Sequence, residues 1–204
     1  MTEDEKRSAG RLFDPADPEL KEIKRKAHHL SMDFNWLYEE ETEQRSVILS
    51  ELLGELGEGS FLQGPITFHY GIHTKIGRGC FINFNLIVQD DADVTIGDRC
   101  LFGPNVTIVT PAHPMLPEER TRLRTADGRE GRFCYAKPVH IGPDCWLGAS
   151  VTVCPGVTIG AGCVIGAGSM VTRDIPAGSF AAGVPCRVVR TLTERDSMRW
   201  SPEV

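Results

Sequence analysis

Apolar residues return at six-residue intervals through much of this 204-residue chain, and few folds obey such a rule. After Pro138 the positions Val139, Cys145, Val151, Val157, Cys163, Ser169 and Ile175 keep a strict hexad. Ile141, Leu147, Val153, Ile159, Ile165 and Val171 follow two positions later. An offset of two returns a side chain to the same face of a strand, so each hexad reads as one short strand with two inward side chains. Glycines recur beside the corners at Gly142, Gly148, Gly160 and Gly166. An earlier block keeps the same interval through Ile76, Ile82, Val88, Val94, Cys100 and Val106, with Phe84, Ile96, Phe102 and Ile108 as its companions. Hexads with small corner residues mark a parallel β-helix. Three sides close one coil, so residue i is expected to stack on i+18, one strand spacing of ~4.8 Å above. Val139, Val157 and Ile175 form one expected ladder, and Cys145 and Cys163 another.

Ahead of the repeat the period is helical. Leu20, Ile23, Ala27 and Leu30 recur at three- and four-residue spacing. Asp17-Pro18-Glu19 supplies an N-cap, a proline at the first helical position and an early acid. A second helix is expected from about Glu41 to Leu53, ended by Gly54 and Gly57. Val106 and Val139 stand 33 residues apart, which is no multiple of six, so a segment leaves the coil between them. Residues 111–137 are polar and carry Arg120, Arg122, Arg124, Arg129 and Arg132. They are expected to form a long structureless loop, and such excursions from a rigid scaffold usually carry function. The chain thus divides into a helical cap (1–60), a mainly β domain with its extruded loop (61–190) and a tail (191–204).

Composition narrows the function. Hydrophobic residues make up 41% and charged residues 25%, the balance of a globular core. A net charge of −6 argues against general nucleic-acid binding. No apolar run approaches the ~20 residues that span a bilayer, and Met1 to Arg7 is too polar for a signal peptide. Seven cysteines, an odd number without a CxxC pair, indicate a reducing compartment. A cytoplasmic protein without a membrane partner is expected. The cysteines in the hexads read as small core residues rather than redox or metal groups.

A string of motifs adds a resemblance. Ala9-Gly10-Arg11-Leu12-Phe13 through Asp17-Pro18-Glu19-Leu20, Asn83-Phe84-Asn85, Asp90-Asp91, Gly103-Pro104-Asn105-Val106 and His113-Pro114 follow in order. Trp146-Leu147-Gly148, Pro155-Gly156-Val157-Thr158-Ile159-Gly160 and Ala181-Ala182-Gly183-Val184-Pro185-Cys186-Arg187 complete the string. Over nearly its whole length the chain resembles the hexapeptide-repeat O-acetyltransferases of the maltose, galactoside and nodulation type. The resemblance implies a left-handed parallel β-helix, an exception to the right-handed crossover rule, assembled as a homotrimer. It implies acetyl-CoA bound between subunits, with the extruded loop reaching toward the neighbour, and acetyl transfer to a hydroxyl of a sugar or sugar-like acceptor without a metal.

The resemblance also assigns roles. An alcohol needs a base as it attacks a thioester, and histidine suits that task near neutral pH. His113, between Pro111 and Pro114 at the root of the loop, falls on the family's catalytic histidine. Asn83 matches an asparagine at the reaction centre, where its amide would stabilise the oxyanion or orient the hydroxyl. Asp91 matches an acceptor-binding carboxylate. The N-terminal acceptor aspartate is Asp17 or Asp14, and Asp17 also suits a helix cap. Ala149 and Ala167, both small, would let the pantetheine arm approach the backbone, while Thr172, Arg173, Arg187 and Arg190 match cofactor-contacting positions suited to phosphate. Trp146 would wall the thioester pocket or simply pack. Two positions depart from relatives: His69 stands where a small polar or acidic acceptor contact is found, and Phe81 replaces a tyrosine. The loop is also longer than in the galactoside enzyme. These changes bear on the acceptor, and the loop arginines suit either an anionic acceptor or a solvated face. Three other readings remain at this point: a non-sugar acceptor such as an antibiotic, a non-catalytic trimeric scaffold, and a zinc carbonic anhydrase built on histidines such as His69 and His73.

Overall fold

The computed structural model of the chain describes residues 1–125 and 128–200. Residues 126 and 127 of the expected loop and 201–204 of the expected tail lie outside the described residues. Short strands wind into a three-sided parallel β-helix whose sides are sheets of five, seven and five strands. The first side stacks Glu55–Leu56, Thr74–Ile76, Val94–Ile96, Val139–Ile141 and Thr158–Ile159. The second stacks Phe61–Leu62, Phe81–Ile82, Leu101–Phe102, Trp146–Leu147, Val164–Ile165 and Ser179–Ala182, with Arg187–Thr191 closing it antiparallel. The third stacks Ile66–Phe68, Leu86–Gln89, Thr107–Val109, Thr152–Val153 and Met170–Val171.

The hexad positions point inward. Ile82, Phe102, Leu147 and Ile165 lie on one inner wall, and Val88, Ile108, Val153 and Val171 on another, all buried. Cys80, Cys100, Cys145 and Cys163 form a third column, each thiol facing a carbonyl one coil on: Gly97, Gly142, Gly160 and Pro176 at 3.1–3.3 Å. Phe84, read from sequence as an inward companion, is exposed at a corner. Corner glycines exist because the coils nearly touch. A Cβ on Gly97 would lie 2.4 Å from the nitrogen of Pro143, and one on Gly142 2.6 Å from that of Ala161. No side chain tolerates such contacts.

Coil length departs from the uniform expectation. The i+18 register holds where Trp146 pairs with Val164 and Thr152 with Met170. Earlier coils take 20 residues, as Phe61 pairs with Phe81 and Phe81 with Leu101. Val88 therefore stacks on Ile108, so the unbroken hexad from Val88 to Val94 crosses a corner instead of continuing a ladder. The final coil is shorter, and Ile175 bridges Ile159 rather than Val157. The two added residues fall at one place, the corner between the third and first sides. His69 to His73 and Asp90 to Asp93 occupy it in two successive coils, and in the next coil the extruded loop leaves from the same corner.

That loop is not structureless. Pro111–Ala112 pairs antiparallel with Tyr135–Ala136 as a stem, and Pro117–Thr121 forms a short helix. Phe13 bridges Cys134 antiparallel, which laces the N-terminal segment onto the stem. Helix α1 (Glu3–Ser8) reaches the elaborated corner through Arg7, while α2 (Pro18–Trp36) and α3 (Thr42–Leu52) cap the open end of the β-helix. Thr2 and Glu5 close a capping box on α1, a signal present in Thr2-Glu3-Asp4-Glu5 but not read from the sequence. The side-chain amide of Asn35 on α2 pairs with both backbone groups of Ile66, at 2.8 and 2.7 Å. Arg45 on α3 donates to the carbonyls of Leu62 and Gln63 at 2.6 and 2.9 Å. Both satisfy strand edges that would otherwise pair with other chains.

Candidate active site

The elaborated corner, the loop stem and the start of α2 enclose a cleft of about 550 Å³. His113, Asp91, His69, Asp14, Lys24 and Arg132 are among its lining residues. His113 follows the stem strand directly, and its Nδ1 lies 2.8 Å from the carbonyl oxygen of Phe133. A carbonyl only accepts, so Nδ1 carries the proton and Nε2 is left with a lone pair. The ring is thereby oriented as well as exposed.

Asp90 and Asp91 divide two tasks. The carboxylate of Asp90 accepts from the backbone N–H of Tyr70 at 2.7 Å and the hydroxyl of Thr74 at 3.0 Å, which ties the two long corners together. Asp91 is 3% exposed, and its Oδ2 has no hydrogen-bond partner among the described residues. Burial pushes its carboxyl up to about 6, against the opposing pull of Lys24 and Arg7 and with the help of Asp90. An unpartnered buried carboxylate oxygen beside a cleft is primed to accept from a ligand. Arg7, buried on α1, donates to the Asp91 carbonyl at 2.7 Å and so fixes the backbone beneath it.

His69 sits on the opposite lip. Its Nδ1 is 3.4 Å from Nε2 of His28 on α2, and burial, reinforced by Lys24 and His28, lowers its pKa to about 4. Lys24 donates to the carbonyl of Pro15 at 2.6 Å and lies 5.6 Å from the ring centre of Tyr70. Burial lowers its pKa, while Asp91 resists the shift.

The sequence-stated candidates fall on different edges of the prism. The pairing of Phe13 with Cys134 carries Asp14 into the cleft, 3.8 Å from Arg129. Asp17, named as an acceptor contact, instead accepts from the backbone N–H groups of Glu19 and Leu20 and caps α2. The cleft therefore belongs to Asp14 of the two. Asn83, Ala149 and Ala167 lie at the corner between the second and third sides, away from His113. Phe81 and Trp146 face outward on the second side, where Phe81 stacks on Phe61 with centroids 6.0 Å apart. Thr172 and Arg173 are exposed just past the third side. Arg187 donates to the carbonyl of Cys186 at 2.7 Å. Arg190 is not an isolated cation: it makes two hydrogen bonds to Asp196, at 2.8 and 2.6 Å. The sequence reading missed Arg7 and Lys24. Lys24 carried a weak signal, a cation on the helix face that also bears Leu20 and Ala27.

His69 and His73 do not converge. The ring of Tyr70 stands between them, with centroids 5.1 and 5.0 Å away. Among the described residues no three His, Cys, Asp or Glu side chains are grouped so as to hold a metal ion, and no helix is long and apolar enough to cross a membrane.

A parallel β-helix of hexads is the architecture of hexapeptide-repeat proteins, and the matches to known sequences and structures put the chain among the transferases built on it. The sequence matches the models of the bacterial transferase hexapeptide (six repeats) over residues 138–173, the maltose acetyltransferase hexapeptide capping motif over 6–57 and the hexapeptide repeat of succinyl-transferase over 93–111. It is 41% identical over 188 residues to the galactoside O-acetyltransferase of Escherichia coli K12, covering 92% of this chain and 88% of that one. A galactoside acetyltransferase in complex with coenzyme A superposes with a TM-score of 0.87 at 41% identity, over 96% and 94% of the two chains. The hexapeptide-repeat acetyltransferase of Vibrio cholerae O1, complexed with acetyl coenzyme A, gives 0.83 at 34% identity, over 95% and 100%. The chain belongs to the hexapeptide-repeat acetyltransferase family that includes the galactoside and maltose enzymes, and it is an acyltransferase.

Proposed function

We propose that the protein is a cytoplasmic homotrimer that transfers an acetyl group from acetyl-CoA to a hydroxyl of a sugar or sugar-like acceptor, with His113 as general base. The observation that supports this reading is the bond from His113 Nδ1 to the Phe133 carbonyl, which leaves Nε2 of a cleft-lining ring with the lone pair a base needs. Nε2 takes the hydroxyl proton as the acceptor oxygen bonds to the thioester carbonyl carbon. The tetrahedral oxyanion then collapses, the C–S bond breaks, and the proton passes to the departing sulfur. The products are an O-acetyl ester and CoA thiol, so no oxidant or reductant is needed. Asp91 and Asp14 accept hydrogen bonds from hydroxyls of the acceptor and aim the reacting one.

Trimerisation supports this chemistry by position. Asn83 sits on a different prism edge from His113, so one chain cannot bring both to one carbon. In a threefold assembly an edge of one prism meets a different edge of the next. There Asn83 would supply the oxyanion donor, and Ala149 and Ala167 on the same edge would admit the pantetheine arm. Trp146 and Phe81 face the neighbour. Thr172, Arg173 and Arg187 serve the cofactor's phosphates, and Arg190 joins them only by exchanging Asp196 for phosphate.

Thiol release from acetyl-CoA, measured with a panel of neutral sugars, tests the activity. His113→Ala should lower the rate by about 100-fold or more, the usual scale of a lost general base. Undiminished release in that variant would remove His113 from the mechanism.

A further inference from the structure

The cleft does not end at His69. A shallower groove of about 310 Å³ continues along α2, sharing Lys21, Lys24 and His69 with the cleft and adding Arg25, His28 and His29. Among the described residues no carboxylate lines it, although the chain carries a net charge of −6. Lys21, Lys24 and His28 recur at helical spacing, so they project along one stripe of α2 toward His69. Arg25 is already paired with Glu22 at 2.9 Å. The groove's positive charge therefore rests on Lys21 and on Lys24, which also feels Asp91 and Asp14 from the cleft side, beside the His28–His69 pair. These groups disfavour one another's charge: Lys24 lowers the pKa of both His28 and His69, and Lys21 lowers that of Lys24, in each case adding to burial. His69, its pKa held to about 4, is neutral at pH 7 and His28 is shifted the same way, so the groove offers an anion two ammonium groups beside two imidazoles, and a bound anion would ease the mutual repulsion. The acids of the site, Asp14 and Asp91, are buried in the cleft, so hydroxyl recognition and the groove's positive charge adjoin along one continuous depression, with Lys21, Lys24 and His69 common to both.

We propose that the acceptor carries an anionic substituent, a carboxylate, sulfate or phosphate, which sits between α2 and His69 while the reacting hydroxyl lies against Asp91 and His113. This inference rests on reading the cleft as the acceptor site. It concerns the groove on α2 and does not involve the loop arginines.

The test compares glucose with glucuronate, glucose 6-sulfate and glucose 6-phosphate as acceptors, by thiol release at low ionic strength. The expected result is a kcat/KM at least about tenfold higher for one or more of the charged sugars than for glucose, the scale of one charge-assisted contact. That preference should shrink in about 0.5 M salt. Lys21→Gln combined with His28→Gln should bring the ratio of charged to neutral acceptor to within about twofold of one, mainly through KM, whereas Lys21→Arg should keep it. A wild-type ratio near one, or variants that lower both acceptors in proportion, would overturn the proposal while leaving acetyl transfer intact. If no acceptor is acetylated, the reading of the site as an acetyl transferase fails. Calorimetric titration of the free enzyme with glucose 6-phosphate and with glucose then judges the groove alone. Tighter binding of the phosphate, lost in the double variant, supports it, and equal binding defeats it.

Discussion

His113 and Asp91 show how far a residue's role depends on its partners. An imidazole in a Pro-Ala-His-Pro segment is only a candidate base; the Phe133 carbonyl, 20 positions away, decides which nitrogen is basic. Asp91 is harder to read from its neighbours, because Asp90 beside it does structural work. The two differ only in which atoms the corner offers them. Asp91 also has a measurable stability signature. Its folded-state pKa of about 6 lies above the ordinary value of 3.8, so the fold binds that proton more tightly than the unfolded chain does. Above pH 6 the buried charge costs on the order of 2–3 kcal/mol, and the cost fades as pH falls from about 6 to about 4. Asp91→Asn should therefore raise the thermal midpoint at pH 8, lose that gain near pH 4, and lower acceptor turnover at both. Unfolding scans at the two pH values check this; a variant destabilised equally at both would contradict it.

At the scale of elements, the corner between the third and first sides is where this β-helix departs from its repeat. Two extra residues in each of two coils, then a loop in the third, open space that plain 18-residue coils leave closed. The remaining corners are tight because glycine lets backbones approach. Gly142→Ala places a methyl group 2.6 Å from the Ala161 nitrogen. It should destabilise the fold by about 1–3 kcal/mol, the cost of overpacking where no flexible side chain can yield. Urea titration should show a lower midpoint with an unchanged slope; an unshifted midpoint would mean that the coils separate more easily than their geometry indicates. The stem pairing of Pro111–Ala112 with Tyr135–Ala136, and of Phe13 with Cys134, makes the N-terminal segment part of the loop's support. Removing residues 1–13 should lower activity more than it lowers the thermal midpoint, because α1 and Phe13 hold Asp91 and the stem while the coil core is untouched. Comparing turnover with the thermal midpoint of the truncated chain tests this.

For the molecule as a whole, the two groups of functional candidates occupy separate edges of a rigid prism. In the mechanism proposed above, association is what brings Asn83 and His113 to one bond. The second side also presents Phe61, Phe81, Leu101 and Trp146 outward as an exposed apolar column, a surface that a lone chain would leave in water. Light scattering coupled to gel filtration should give three times the 22.5 kDa chain mass. Trp146→Glu, which puts a charge into that column, should shift the particle toward smaller species or weaken turnover. A fully active monomer would remove the need for Asn83 altogether.

Much of this was legible without coordinates because hexads are local. Two inward apolar positions per six residues force short parallel strands, and glycines at fixed offsets force tight corners, wherever the chain lies in space. The helical cap followed from period and capping residues, and the departure of residues 111–137 from the break in phase. Which corner holds the cleft was not legible. It depends on coils of 20, 18 and 16 residues adding up in register, and a two-residue insertion leaves the face parity of every side chain unchanged. Nor could sequence choose Asp14 over Asp17, find Arg7 under Asp91, or set Lys24 and His28 beside His69. Those choices arise from pairings across the fold, where burial and a missing or present partner, rather than residue type, determine what each group can do.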